Sequence, residues 1–327
     1  MPHNADASRP SMIALDQITS WGHDLARPEC VLAMRDGTLY VSVKRGGVTR
    51  IAADGAQTFF GQAAIVPNGI ALMKDGSFLL SSLEGEPGVW RITRDGRAEP
   101  WLTEVGGVRL GAVNFVRLDH QERVWVCISA TDMTGHTYPK DSTTGYIALV
   151  DNKGARVVAT GLGFTNECVI SADGAHLYVH ETFARRLTRY RLAADGTLTE
   201  RATVTEFGHG VFPDGLALDA EGHIWSISVV SNRVIRTSPA GKQELIIEDA
   251  DPEHLDMVEQ HYQAGTLTRP ALGANKGKKL CNTTSIAFGG PDLRTAWMGC
   301  LSGTTLASFR SPVAGLPPVH WDWQFPV

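Results

Sequence analysis

The stretch PDGLALDAEGHIWSI (213–227) alternates apolar and polar residues, breaks at a glycine-bearing turn, and resumes as a second apolar run. Alternation with period two places one face of a strand against a core, and the break makes the pair a hairpin. Its one awkward residue is Asp214, a carboxylate at the mouth of the apolar run. Read alone, Pro-Asp-Gly is a common turn tripeptide and needs no function.

The hairpin recurs. PECVLAMRDGTLYVS (28–42), PNGIALMKDGSFLLS (67–81), VNFVRLDHQERVWVC (113–127), TNECVISADGAHLYVH (165–180) and TTSIAFGGPDLRTAWMG (283–299) align with it from a common first position. In all six the second residue is polar: Glu29, Asn68, Asn114, Asn166, Asp214 and Thr284. A second set of hairpins lies between them, among them GVWRITRDGRAEPWL and RVIRTSPAGKQELII. One repeat is therefore four strands. The first positions fall 39, 46, 52, 48 and 70 residues apart, close to the period of propeller blades except at the last step. A four-stranded unit cannot bury both its faces alone, so the units must stack. The expectation is an all-β chain, a six-bladed β-propeller with four-stranded blades around a central channel.

Residues 1–11 read as a disordered tail, and 12–327 as a single propeller domain with insertions at 130–145 and 250–282. The second insertion holds the one good helix pattern, DPEHLDMVEQHYQAG, with Pro252 in its first turn and Gly265 as its stop. In a meander of strands both insertions emerge on the face where each first strand begins, so both should overhang the six polar positions. Proline-rich sequence follows TTLASFR (304–310), so the last strand of blade six must come from residues 12–21 or from 319–323.

Bulk properties bound the function. A 43% hydrophobic content with 20% charged residues supports a sizeable core. A net charge of −5 without a basic run argues against nucleic acid and anionic membranes as partners. No apolar stretch approaches the roughly 20 residues that span a bilayer, and the N-terminus lacks a secretory pattern. A cytoplasmic location and a small-molecule partner are expected, with the oligomeric state open. Five scattered cysteines without a CxxC pair point to neither a zinc cluster nor a disulfide framework.

The first strand of each propeller blade is innermost, so the six polar residues should converge on the axis. Glu29 and Asp214 would repel there unless something positive lies between them. With Asn114 and Asn166 they supply two carboxylates and two amide oxygens. That donor set suits one hard divalent cation, most readily Ca2+, with Zn2+, Mn2+ or Mg2+ as alternatives. Capping of strand ends accounts well for Asn68 and Thr284 and poorly for Glu29.

The segments PDGLALDAEGHIW, NECVISADGAHLYV and TSIAFGGPDLRTAWM, with Pro-Glu at 28–29, resemble the senescence marker protein/gluconolactonase/luciferin-regenerating enzyme family. The resemblance covers about residues 15–320 and rests on six motifs in register and in order. It implies a divalent cation, usually calcium, and hydrolysis of lactones or, in a related branch, organophosphates. Carried onto matching positions, it implies Glu29, Asn166 and Asp214 as ligands, Asn114 as a further ligand or substrate contact, and Asp214 as general base or nucleophile. Sugar-acid lactonases of the family carry an arginine two residues before the blade-three asparagine and an aspartate after it. Here those places hold Ala112 and Phe115, which points to a more apolar lactone or ester.

The expected activity is therefore a metal-dependent hydrolase acting on ester bonds, lactonase-like. Phosphotriester hydrolysis at the same centre, or a cation that only staples the blades, are the alternatives. Phe115, Tyr138 on the first insertion and His180 at a strand end join Asn114 as candidate substrate contacts. For His180 a hydrogen-bonded place in the core competes with that role.

Overall fold

The computed structural model of the chain describes residues 12–131, 137–138, 140–274 and 276–325. The proposed tail at 1–11 and part of the first insertion, His136 included, lie outside the described residues. Six four-stranded antiparallel sheets are arranged as a six-bladed β-propeller. Blade one is Val31–Ala33, Leu39–Val43, Gly47–Ile51 and Gln57–Phe60. The first strands of blades two to six are Ile65–Leu72, Ala112–Leu118, Thr165–Ile170, Pro213–Leu218 and Thr283–Gly289. Each packs against the first strand of the next blade, and that of blade six returns to blade one.

The ring is closed by the N-terminal segment. Thr19–Trp21 pairs antiparallel with Leu306–Arg310 as the outer strand of blade six. Of the two segments the sequence left open, 12–21 takes this role. Leu316–Trp323 instead lies across the opposite end of the channel, over a cavity of about 560 Å3 that Arg117 and Glu167 also line.

Large buried aromatics fill the spaces between blades. Trp125 and Trp225 are fully buried, and each indole N–H donates to a carboxylate at the foot of its own hairpin, Asp119 at 2.8 Å and Asp219 at 3.0 Å. A buried indole of this kind removes roughly 150–250 Å2 from water without leaving its N–H unpaired. No disulfide joins any of the five cysteines.

The one strong helix pattern forms helix α1, Pro252–Gln263. Asp251 caps it by accepting from the His254 N–H at 2.8 Å, and Pro252 occupies the first turn, where its missing N–H costs nothing. A second short helix, α2, spans Arg269–Gly273. Among the described residues no helix is long and apolar enough to cross a membrane.

Candidate metal centre and its mouth

The ring residues owe their aim to one backbone device, repeated. In blade five Pro213 pairs with Ser228 and Leu216 with Ser226, so Asp214 and Gly215 together oppose a single residue, Ile227. Blades two, four and six repeat this two-against-one step at Asn68-Gly69, Asn166-Glu167 and Thr284-Ser285. Blade three shifts register at Asn114. A bulge frees its residues from the ladder and re-aims their side chains, here toward the axis. Pro-Asp-Gly is thus no turn. Gly215 is required because a Cβ there would lie 2.4 Å from the Thr284 carbonyl oxygen of the next blade.

In blades one, two and four the second-strand residue at this place serves the neighbouring blade. Ser81 Oγ donates to the Asn114 carbonyl at 2.6 Å, and Ser42, its counterpart in blade one, donates to the Asn68 carbonyl at 2.7 Å. His180 does the same in blade four, with Nδ1 2.7 Å from the Asp214 carbonyl oxygen. That oxygen can only accept, so Nδ1 carries the proton and Nε2 accepts from Ser226 Oγ at 2.9 Å. His180 is fully buried, and burial pulls its pKa down to about 4. With both nitrogens engaged it is a neutral core residue that positions Asp214, not a substrate contact. In blade six the place is Gly299, where a Cβ would sit 2.2 Å from the Glu29 carbonyl oxygen.

The side chains sort into two groups. Thr284 Oγ1 donates to the Glu29 backbone carbonyl at 2.6 Å and so clips blade six to blade one. Asn68 accepts from Arg27 at 2.8 Å and donates to Asn114 Oδ1 at 2.8 Å. Glu29, Asn166 and Asp214 remain around the axis. Glu29 Oε2 and Asn166 Oδ1 are buried with no hydrogen-bond partner among the described residues. Unpaired buried acceptors are rare and call for an unseen donor or ion. Burial pushes the Glu29 carboxyl up to about 7, against the pull of Arg27 and Arg269. Burial and the Glu29 charge push Asp214 well above the ordinary carboxylate range, against the Asn166 amide, Arg27 and Arg269. Two carboxylates strained in this way, beside an orphaned amide oxygen, fit a divalent cation. Among the described residues no three His, Cys, Asp or Glu side chains gather as a ready-made site, so amide oxygen must complete the donor set. Asn114 is the weaker candidate ligand, because its Oδ1 already accepts from Asn68.

Two other expected contacts are placed differently. Phe115 is 3% exposed and packs on Gly69, where a Cβ would come within 2.3 Å of its ring. It belongs to the core and to the channel beneath the ring, and adds no apolar surface to the mouth. Tyr138 is likewise buried, its ring stacked on Phe183 at 4.5 Å. Only its hydroxyl works at the mouth, accepting from Arg269 at 3.3 Å.

The insertions do overhang the ring, and they do so together. The Tyr138 N–H donates to the Leu267 carbonyl at 2.9 Å, and Thr137 bridges Thr268. Arg269 begins α2, in the link between blades five and six, yet its guanidinium pairs with Glu84 of blade two at 2.6 Å. It therefore crosses the axis above Glu29 and Asp214, both of which feel its charge. Arg27 approaches from blade one, donating to the Pro67 carbonyl and Asn68 Oδ1. Sequence inspection missed Arg27, Glu84, Glu167 and Arg269. Arg27 and Arg269 lie outside the repeat, in links whose course no periodicity fixes, and Glu84 ends the second strand of blade two, past the apolar run that marks the hairpin. Glu167 was visible as a departure from the glycine found after the polar residue in blades two and five. It is buried beside the ring and accepts from the Leu216 N–H at 3.3 Å.

A six-bladed propeller with a hard oxygen ring at one mouth defines a class, and the comparisons narrow it. Residues 27–249 match the SMP-30/gluconolactonase/LRE-like region, and the chain belongs to that family. It is 31% identical to a 6-deoxy-6-sulfogluconolactonase of Pseudomonas putida over 69% of this chain and 66% of that protein. It is 26% identical to a pentonolactonase of Haloferax volcanii over 72% of this chain and 67% of the other. The chain thus spans about two thirds of the length of these curated relatives. The fold matches regucalcin, a calcium-binding protein of Agrobacterium tumefaciens, with a TM-score of 0.63, 17% identity and 94% of each chain covered.

Proposed function

We propose that this protein hydrolyses lactones at a divalent cation held by Glu29, Asn166 and Asp214. The observation that carries this is the pair of orphaned oxygens, Glu29 Oε2 and Asn166 Oδ1, buried beside Asp214 on the propeller axis. The names of the two lactonase relatives support the reaction class. The all-oxygen donor set favours calcium over zinc, and the calcium-binding neighbour supports the same choice. When bound, such a cation polarises the ester carbonyl as a Lewis acid.

The chain's own residues do the rest. With its charge balanced, Asp214 would be ionised, accept a proton from the water that attacks the carbonyl carbon, and return it to the ring oxygen as the acyl C–O bond breaks. Arg27 fixes the Asn68 amide, and Asn68 occupies Asn114 Oδ1, which leaves the Asn114 N–H to hold a substrate oxygen. His180 holds the Asp214 backbone from behind. The joined insertions roof the mouth and limit the water that reaches it.

The sequence argument for an apolar lactone rested on Ala112 and Phe115. Phe115 faces away from the mouth, and two guanidiniums absent from the repeat pattern line it instead, so a polar lactone is the better fit. The test is a panel of sugar, aliphatic and aromatic lactones beside a phosphotriester, run with the wild type and Asp214→Asn. Turnover of lactones, lost by about 100-fold or more in Asp214→Asn even at cation concentrations that saturate the weakened site, is the expected outcome. Turnover of the phosphotriester alone would move the assignment. Cation binding without any turnover would leave a stapled scaffold.

A further inference from the structure

Arg269 and Arg27 are the two cations at the mouth, and they act on each other as well as on Glu29, Asp214 and Glu84. Arg269 reaches its place across the axis, held there by the Tyr138 hydroxyl and by an ion pair with Glu84 at 2.6 Å. Neither partner of that pair is locked away: the Arg269 side chain is 32% exposed and that of Glu84 50%. Ordinary surface ion pairs contribute little to stability, so a long arginine drawn across a channel mouth to one is poorly explained by stability. The charge balance gives a reason. With a divalent cation matched by Glu29 and Asp214, and Glu167 set against Arg117 in the cavity beneath the ring, the two guanidiniums face a single remaining carboxylate, that of Glu84. The mouth is then one negative charge short.

We infer that Arg269 and Arg27 form a clamp for an anionic group on the lactone, remote from its ester carbonyl, and that Glu84 holds Arg269 until that group displaces it. This rests on the lactonase assignment. The substrate class is a hydroxyl-bearing lactone with a carboxylate, sulfonate or phosphate, each of which a guanidinium can grip through two parallel N–H donors. Glu84 mimics that group in its absence and competes with it in its presence.

The two residues therefore have opposite effects. Kinetics on the metal-loaded protein would compare an uncharged hexonolactone with the same ring bearing each of the three anionic groups. The quantity of interest is the ratio of kcat/KM, anionic over uncharged. Arg269→Gln should lower it about tenfold or more, the loss expected for a charge-assisted hydrogen bond. Glu84→Gln should raise it several-fold, and should have no effect in the Arg269→Gln background. Which anionic group gives the largest ratio in the wild type identifies the class. A structural ion pair predicts instead that both variants lose stability and activity on all lactones alike. Equal effects on charged and uncharged lactones, or shifts of the ratio in the same direction, would overturn the clamp. Calorimetric binding of the ring-opened anionic acids to the same variants keeps the question separate from catalysis. If no lactone is turned over, acid binding weakened by Arg269→Gln and tightened by Glu84→Gln still supports the clamp. Acid binding that neither variant alters would refute it.

Discussion

The Nδ1–H of His180, in the second strand of blade four, donates to the backbone carbonyl of Asp214 in blade five at 2.7 Å. The bond joins two blades and sets the height of the Asp214 bulge. His180→Ala removes it and strands the Asp214 carbonyl and Ser226 hydroxyl in a dry interior. Chemical denaturation should show a loss of about 2–4 kcal/mol, made of one buried hydrogen bond and its unpaired partners. Because burial holds the imidazole pKa to about 4, activity between pH 5 and 8 should not follow its titration.

Gly215→Ala tests the close approach of blades five and six. Its Cβ would stand 2.4 Å from the Thr284 carbonyl oxygen and 2.6 Å from the Ser285 Cα. Both are backbone-linked and cannot swing aside. We expect about 1–3 kcal/mol of destabilisation with cation affinity weakened alongside, since Asp214 is the adjacent residue. Gly222→Ala has open space around its Cβ but a positive φ of 79°. It should cost stability without touching cation binding, which isothermal titration would separate.

Glu29 links the ring to pH. Its folded pKa, about 7, lies above the ordinary value of 4.5 because burial penalises the charge. The folded metal-free protein therefore holds a proton that the unfolded chain has released, and its stability should fall as pH rises from about 4.5 to 7. Asp214 and Glu167 disfavour ionisation at the ring, while Arg27 and Arg269 favour it. Cation binding runs the other way, weakening by roughly tenfold or more per pH unit below 7 as protons compete for the ligands. Melting curves with chelator and with calcium, at pH 5.5 and 8, should diverge most at pH 8. Glu29→Gln should flatten the metal-free curve and remove most of the calcium response.

The roof has its own anchor. Arg185 of blade four pairs with Glu259 of α1 at 2.5 Å, and its guanidinium lies 3.8 Å from the Tyr262 ring centroid. Tyr262 in turn donates to the Phe183 carbonyl. Arg185→Ala should loosen α1 and α2 together and raise KM several-fold, with the far-UV spectrum of the blades unchanged. Limited proteolysis should cut first within 250–282. A KM unaltered by this variant would separate the roof from substrate binding.

The architecture was legible because a propeller repeats. Six aligned hairpins gave blade number and ring positions, since a strand period needs no tertiary information, and the helix at Pro252–Gln263 follows from the start and stop signals of its own segment. Closure by Thr19–Trp21 over the alternative at 319–323 was not legible, since both segments are short and apolar. At the site, register alone singled out Glu29, Asn114, Asn166 and Asp214 as residues that converge on the axis, and the structure brings them there. For His180 the sequence left a core place and a substrate contact open, because one sequence cannot say which way a strand-end side chain points; its two hydrogen bonds agree with the core place. Phe115 lies within a first strand, and its burial against Gly69 of blade two depends on how blades pack, which one sequence does not give. Arg27 before blade one, Glu84 at a strand end of blade two and Arg269 at the start of α2 meet across the channel, a contact between residues up to hundreds of positions apart with no shared motif.

The central claim is that the oxygens of Glu29, Asn166 and Asp214 hold a divalent cation on which lactone hydrolysis depends. The most direct measurement is lactone turnover by protein stripped with a chelator, its metal content verified by mass spectrometry, before and after adding back stoichiometric calcium. The account predicts that turnover disappears on stripping, returns with about one equivalent of calcium, and fails to return in Glu29→Gln. Full turnover by metal-free protein would contradict it.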